Sequence, residues 1–465
     1  MRKKPFRRFM DSMIWTIPLL FGIILLFIKE SYPELLKDQK TIAYAFAFAV
    51  LGYLWMTTDA KCRASPDAMM EEKRLAQQKT VPMELRSKKP EGILFGKRNA
   101  SYIRKPITED GHVLVIGGSG SGKSSSSVIP TLLSNPKTAV FTLDIKGELS
   151  FKTTKRTDSN TLIVNPSDRS CAGYDPLYML TSESGEMQIY ETMRLIAESL
   201  ISIPGDTKDP FWKTAARNLL TGMLIYGYKE GDKNFISLVD QILSKPVKDS
   251  VAEIMEKADP ASTERKYIVQ FEGLADETLG GIVTEMSNHL ALFANDRNVR
   301  YALRDNPVKA TPKMLNDGYS IYLVIQEHQL SSYYDFLQLV LNQTFFELEQ
   351  RPENAKPVLF IIDELPRILS AGRIERLLDG AKTLRSRKVT LYLIIQSVEA
   401  LTCAYSESQA LDLISNCPYI LVLDATSTKT QKMIIELAGK YTARKRNWNH
   451  AASKMSISTS FEEKN

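Results

Sequence analysis

The chain alternates short, wholly apolar runs with longer stretches of helical period. Seven runs read as strands: 112–116, 138–143 (TAVFTL), 161–164 (TLIV), 319–325 (YSIYLVI), 357–362 (PVLFII), 390–395 (TLYLII) and 419–423 (YILVL). Runs this short, without polar alternation and separated by helices, predict strands buried on both faces, hence a mainly parallel sheet between helical layers. The pattern breaks between 164 and 319. There the apolar positions recur at helical spacing, Ile189, Met193, Ile196 and Leu200 on one stripe and Phe211, Ala215, Leu219, Met223 and Tyr226 on another. Both stripes are expected to be core. An all-α domain, 181–312, is therefore predicted as an insertion in an α/β domain made of 93–180 and 313–465. Residues 64–92 are polar and without a strong apolar period, and read as a linker or short helix.

The first sixty residues have a different character. Met13–Ile28 and Thr41–Thr58 are uncharged and mostly apolar, each near the lower limit for crossing a bilayer. Arg2, Lys3, Lys4, Arg7 and Arg8 precede the first, and Lys61, Arg63, Lys73 and Arg74 follow the second. The connection KESYPELLKDQK balances three lysines against three acids. Positive charge on both outer flanks predicts a transmembrane hairpin over residues 1–63 with both ends in the cytoplasm, so a multi-pass protein of the cytoplasmic membrane whose bulk is cytoplasmic. A cleaved leader is the main alternative, but no small-x-small site follows Ile28. A pair of buried core helices is the other.

Composition adds little. The length of 465 residues suggests two or three domains. The apolar fraction of 43% and charged fraction of 25% suit a globular chain with a sizeable core. The net charge of +6 leans only weakly toward anionic partners, because part of it sits in the N-terminal basic cluster. Cys62, Cys171, Cys403 and Cys417 are far apart, and there are four histidines. That supports neither a disulfide framework nor a zinc site, and fits a reducing cytosol.

The chemistry begins at VLVIGGSGSGKSSSSVIP, Val113–Pro130. Gly117–Ser124 fits G-x-x-x-x-G-K-[ST] between an apolar strand and a helix, the setting in which backbone N–H groups wrap a phosphate. Gly117, Gly118, Ser119, Gly120, Ser121, Gly122, Lys123, Ser124 and Ser125 are the expected ATP-binding residues. Lys123 would reach the β- and γ-phosphates, and the Ser124 hydroxyl would ligate Mg2+. The bland alternative, a glycine-rich turn after a strand, does not account for the complete eight-residue match. PVLFIIDELPRI, Pro357–Ile368, is the second half of such a site. A strand ending in Asp363 and Glu364 offers one carboxylate for magnesium and one to polarise the attacking water. Strands often end in acids, so the pattern gains its force from the P-loop.

TLYLII ends at Gln396, either a sensor of the γ-phosphate of the kind found in RecA-like motors or an ordinary polar strand end. Before it, AKTLRSRKVT carries Lys382, Arg385, Arg387 and Lys388, which suit a trans-acting arginine finger, a nucleic-acid contact or a solvated loop. YTARKRNWNH is a candidate nucleic-acid contact or a solvated hairpin. DIKGEL, Asp144–Leu149, closes the second strand near the P-loop edge, with no specific role derivable for Asp144 or Lys146.

From the N-terminal hairpin through HVLVIGGSGSGKSSSSVIPTLL, LDIKGEL, DPFWKTAARNLL, FIIDELPRIL, LIIQS and YILVLDATSTKTQKMIIELAG, the chain resembles the type IV secretion coupling proteins, the TraG-like conjugative ATPases. D-x-K-G-E, FW-x-x-x-A-x-x-LL and D-E-x-P-R together are the specific signals, since many ATPases share a P-loop and a strand ending in acids. The resemblance implies a RecA-like domain with a helical, substrate-facing domain, assembled as a homo-hexamer at the inner face of the membrane. It also implies that a relaxase-bound single strand, or a protein, is handed to a type IV secretion channel. Of the glycine-arginine-glycine-type loop often found before the sensor strand, only Arg385 fits. Relatives usually continue past SISTSFEEKN, so a shortened form or the lack of an acidic tail is expected.

Three functions follow from this reading. The leading one is a membrane-anchored, ATP-driven nucleoprotein translocase. An FtsK-like DNA pump would usually show more spans and a winged-helix tail. A substrate receptor would use ATP binding only to control assembly, and Glu364 beside Asp363 argues for hydrolysis instead. No zinc finger, RNP aromatic pattern or helix-turn-helix is recognisable, so DNA binding is expected to be phosphate-directed, sequence-tolerant and salt-sensitive.

Overall fold

The computed structural model describes residues 81–154, 160–231 and 233–438, and the two strands 441–451 and 454–464. The chain divides into two units, Met1–Val81 and Pro82–Asn465, and only the second is described below. The expected membrane hairpin lies outside the described residues. Among those residues, no helix is long and apolar enough to cross a membrane.

The chain enters through a three-stranded antiparallel sheet, β1 (Arg86–Ser87), β2 (Ile93–Arg98) and β3 (Ser101–Lys105), in the order β1-β3-β2. Its first strand falls within the stretch expected to be a linker. Then come β4 (Val113–Ile116), β5 (Ala139–Asp144), β6 (Thr161–Val164), the short pair β7 (Gly173–Tyr174) and β8 (Lys309–Ala310), β9 (Ser320–Val324), β10 (Val358–Ile362), β11 (Val389–Ile395) and β12 (Tyr419–Val422). All seven apolar runs join one sheet, in the order β12-β4-β11-β10-β5-β9-β6. Every pairing in it is parallel.

Burial on both faces explains why these strands lack polar alternation. In β10, Val358, Phe360 and Ile362 face one apolar cluster, and Leu359 and Ile361 face the other. In β4, Leu114 and Ile116 point to the first cluster, Val113 and Val115 to the second. The first layer is anchored by Phe360, whose ring lies 4.7 Å from that of Phe141 and 4.8 Å from that of Phe345 on the helix Tyr334–Glu349. Burying each such side chain is worth about 1.5–3 kcal/mol.

Between β7 and β8 the chain is helical, with Glu186–Leu200, Phe211–Glu230, Phe235–Leu243, Val247–Lys257, Thr263–Ile268 and Asp276–Asn295 as its main segments. Ile189, Met193, Ile196 and Leu200 are buried, as are Ala215, Leu219, Met223 and Tyr226. They belong to the same apolar cluster as the first face of the sheet. Phe211 departs from the expected stripe and is 51% exposed, because it opens its helix, where no neighbouring element covers it. The last element is an antiparallel hairpin of β13 (Tyr441–Ala451) and β14 (Lys454–Lys464), so YTARKRNWNH lies in a strand.

Candidate nucleoside-triphosphate site

Three strand ends meet at one edge of the sheet. β11 lies between the P-loop strand β4 and the acidic strand β10, so Gln396 emerges between Gly117 and Asp363. The loop after β4 turns through Gly120 and Gly122 at φ +76° and +82°, a backbone that side chains rarely adopt. A Cβ on Gly117 would come within 2.5 Å of Ser121 Oγ and 3.2 Å of Lys123 Cγ, so a side chain there would displace both. The following helix opens with a π-type turn, Ser124–Val128, in which Ile129 N donates to Ser124 O. Pro130 gives the cause: it has no N–H, and its ring crowds the carbonyl four residues back.

Lys123 is buried, and its Nζ donates to the carbonyls of Gly117 (2.7 Å) and Gly118 (2.9 Å). Ser124 Oγ donates to Asp363, at 3.3 Å from Oδ1 and 3.4 Å from Oδ2. Asp363 is fully buried. Burial pushes its carboxyl up to about 6, with Lys146 opposing and the charges of Glu364 and Asp144 adding to the rise. Glu364 sits in the left-handed region at φ 60°, ψ 47°, where a side chain costs about 1–2 kcal/mol. That kink turns β10 into the helix Leu365–Ala371 and aims the carboxylate along the P-loop.

Both Glu364 oxygens are engaged. Gln396 Nε2 donates to Oε2 at 3.0 Å, and Lys146 Nζ to Oε1 at 3.2 Å, with Lys123 Nζ 3.9 Å from the same Oε1. Burial alone would raise this carboxyl, yet Gln396, Lys146 and Lys123 hold it below the ordinary carboxylate range. Lys146 had no assignable role from the sequence. Its backbone is fixed by Asp144, fully buried, whose carboxylate accepts from Lys146 N (3.3 Å) and Ser150 N (2.8 Å) around a left-handed Gly147. The spacing D-x-K-G in DIKGEL was the available signal; the partner, 218 positions away, was not.

The residues fit a magnesium-bound triphosphate. Ser121 Oγ is buried inside the loop without a hydrogen-bond partner, and a Cβ on Gly120 would meet nothing within 4 Å. Among the described residues, no group of three or more His, Cys, Asp or Glu forms a metal cage. One hydroxyl and one carboxylate suit Mg2+, which keeps phosphate and water oxygens as its other ligands. Ser119 and Ser125 are exposed, and Ser125 Oγ donates to Gly122 O.

Arg385 lies elsewhere. It is exposed on the turn Leu384–Arg387, before the N-terminal end of β11 and so across the sheet from Gln396. Its neighbours have local duties: Lys382 pairs with Asp412, Arg387 donates to Arg351 O, and Lys388 pairs with Asp110.

Strand order and site together define a P-loop protein of the RecA-like α/β class. Residues 64–465 match the family described as type IV secretory system conjugative DNA transfer, and the chain belongs to that family. It is 24% identical over 388 residues to Protein VirD4 of Rhizobium radiobacter, covering 78% of this chain and 54% of that protein. It is 22% identical over 463 residues to the type IV secretion system-coupling protein VirD4 of Bartonella henselae, covering 94% and 70%. The chain thus spans about half the length of the first of these relatives. Its fold is similar to that of the bacterial conjugative coupling protein TrwBdeltaN70, at TM-score 0.62 and 16% identity over 81% of this chain and 82% of that one. It is likewise similar to TrwB in complex with ADP and Mg2+, at TM-score 0.59 and 16% identity over 77% and 80%.

Proposed function

We propose that the protein is a membrane-anchored ATPase that couples ATP hydrolysis to the recruitment and transfer of a DNA–relaxase nucleoprotein, or a protein, into a type IV secretion channel. The observation that carries the reading is the meeting of Lys123 and Ser124 with Asp363 and Glu364 at one strand edge. Gly117–Ser125 would cradle the phosphates, with Lys123 neutralising their charge. Ser124 and Asp363 would hold Mg2+, which supplies charge neutralisation on the phosphate oxygens when bound. Glu364 orients the attacking water, and Gln396 fixes Glu364 while reading the γ-phosphate. Arg385 would serve the site of a neighbour in a homo-hexamer.

The domain division at 181–312 belongs to the same proposal, with the helical segment facing substrate. Family membership supports a conjugative role, and the charge pattern of residues 1–74 supports the anchor. The test is ATP turnover by the full chain in detergent, with and without single-stranded DNA. Stimulation by DNA is expected. Tight ATP binding with no turnover under either condition would replace the motor with a nucleotide-controlled substrate receptor.

A further inference from the structure

We infer that Lys146 is a second phosphate cation of this site, paired with Glu364 in the absence of a γ-phosphate and transferred to the γ-phosphate of a bound nucleoside triphosphate. The inference rests on the nucleotide reading above and adds a device that tells triphosphate from diphosphate.

Two ammonium groups converge on one oxygen, Lys146 Nζ at 3.2 Å and Lys123 Nζ at 3.9 Å from Glu364 Oε1. Lys123 is the P-loop lysine, so Lys146 stands on the side of the site where the terminal phosphate belongs. The two cations differ in how firmly they are held. Lys123 is buried and donates to two carbonyls of its own loop. The Lys146 side chain is 44% exposed, and among the described residues Glu364 is its ion-pair partner. Its backbone is nonetheless rigid, fastened by Asp144 and the left-handed Gly147. A fixed base with a free four-carbon stem lets the ammonium swing between two nearby anions without moving the sheet.

A terminal phosphate draws it across because it carries more negative charge than a carboxylate and three acceptor oxygens. Asp363, Asp144 and Glu148 are the other acids near Lys146; the first two have hydroxyl or backbone donors already, and Glu148 pairs with Lys152. When Lys146 leaves, Gln396 still donates to Glu364 Oε2, so the carboxylate keeps its aim while Oε1 becomes free to accept from water. A diphosphate has no γ-phosphate, so nothing replaces Glu364 at the γ position and Lys146 stays on that carboxylate. Lys146 is in this sense a positioning residue for Glu364 as well as a ligand of the nucleotide.

The experiment compares Kd values of the full chain for ADPNP, the non-hydrolysable ATP analogue, and for ADP, both with Mg2+. For Lys146→Ala the expected result is ADPNP binding weakened about tenfold or more, the size of one charge-assisted hydrogen bond, with ADP binding unchanged. Lys146→Arg should recover most of the ADPNP affinity, since it retains the charge. Equal losses for both nucleotides, or no loss for either, would overturn the inference and leave Lys146 as a static partner of Glu364. Melting temperatures of the nucleotide-free proteins show whether either variant is unfolded. A wild-type chain that binds neither nucleotide would overturn the nucleotide reading itself.

Discussion

Ser124 Oγ stands 3.3 Å from Asp363 Oδ1, across 239 positions of sequence. The hydroxyl lies in the first turn of the helix that follows the β4 loop and the carboxylate directly follows β10, with β11 between those strands. This pair is the expected magnesium seat. Asp363→Asn and Ser124→Ala should each weaken ATP binding about ten- to a hundredfold in the presence of Mg2+, and change little in EDTA. Lys123→Ala should weaken binding in both conditions, because its charge faces the phosphates directly. Titration of a fluorescent ATP analogue with and without Mg2+ separates the two classes.

Glu364→Gln should keep ATP affinity and lose hydrolysis, by about 10²–10⁴-fold if the carboxylate acts on the attacking water. The amide keeps the shape and the contact with Gln396 but cannot take up a proton. Native turnover in the purified variant would remove Glu364 from this role.

The strands were readable because each is short, apolar and buried on both faces, as in VLFII of β10. The P-loop and Asp363–Glu364 were readable because their chemistry is confined to adjacent residues. Three features were not. The antiparallel entry sheet contains SYIRK and FGKR, whose mixed burial leaves no clean period. Phe211 continues a core stripe by spacing, yet its position at a helix start leaves it exposed. Lys146 meets Glu364 only through the alignment of β5 with β10, a relation that no local pattern carries.

His112 makes the fold sensitive to acid. It is fully buried, accepts from Leu391 N at Nδ1 (3.0 Å) and lies with Nε2 3.1 Å from Ala381 O. The ring is therefore neutral with its proton on Nε2. Burial pulls its pKa down to about 4, against the raising effect of the Ala381 carbonyl, and the charges of Lys105 and Arg385 lower it further. Between about 6.5 and 4 the unfolded chain takes up a proton that the native one refuses, so stability falls as pH falls through that window, by roughly 3 kcal/mol in full. His112→Gln should be less stable at pH 7.5 but flatter toward pH 4.5 in urea unfolding. Asp363, shifted upward, contributes the opposite slope to both chains, so the difference isolates His112. Parallel slopes would exclude it.

The proposed membrane anchor makes a topological prediction. With the four native cysteines replaced, Ser31→Cys should react with an impermeant maleimide applied outside the cytoplasmic membrane, whereas Pro5→Cys should not. Equal labelling of both, or protection of position 31, would sink the hairpin.

Arg385 cannot serve the phosphates bound by its own chain. It precedes β11, whose seven residues span about 20 Å before Gln396 reaches the site. Its exposed guanidinium is always charged and is free to approach another subunit. In a ring, an arginine from one subunit can stabilise the charge that develops on the γ-phosphate held by the next, an effect worth about 10³–10⁵ in rate in GTPase systems. Arg385→Ala should therefore preserve ATP binding and reduce hydrolysis steeply, with Arg387→Ala milder because that side chain is tied to Arg351 O. Mixing decides whether the action is in trans. A Lys123→Ala subunit has a dead pocket and a sound finger, and an Arg385→Ala subunit has the reverse. Mixed rings contain some interfaces with both parts sound, so part of the ATPase activity should return. If subunit exchange is demonstrated and activity stays at the level of either mutant alone, Arg385 belongs to a solvated turn.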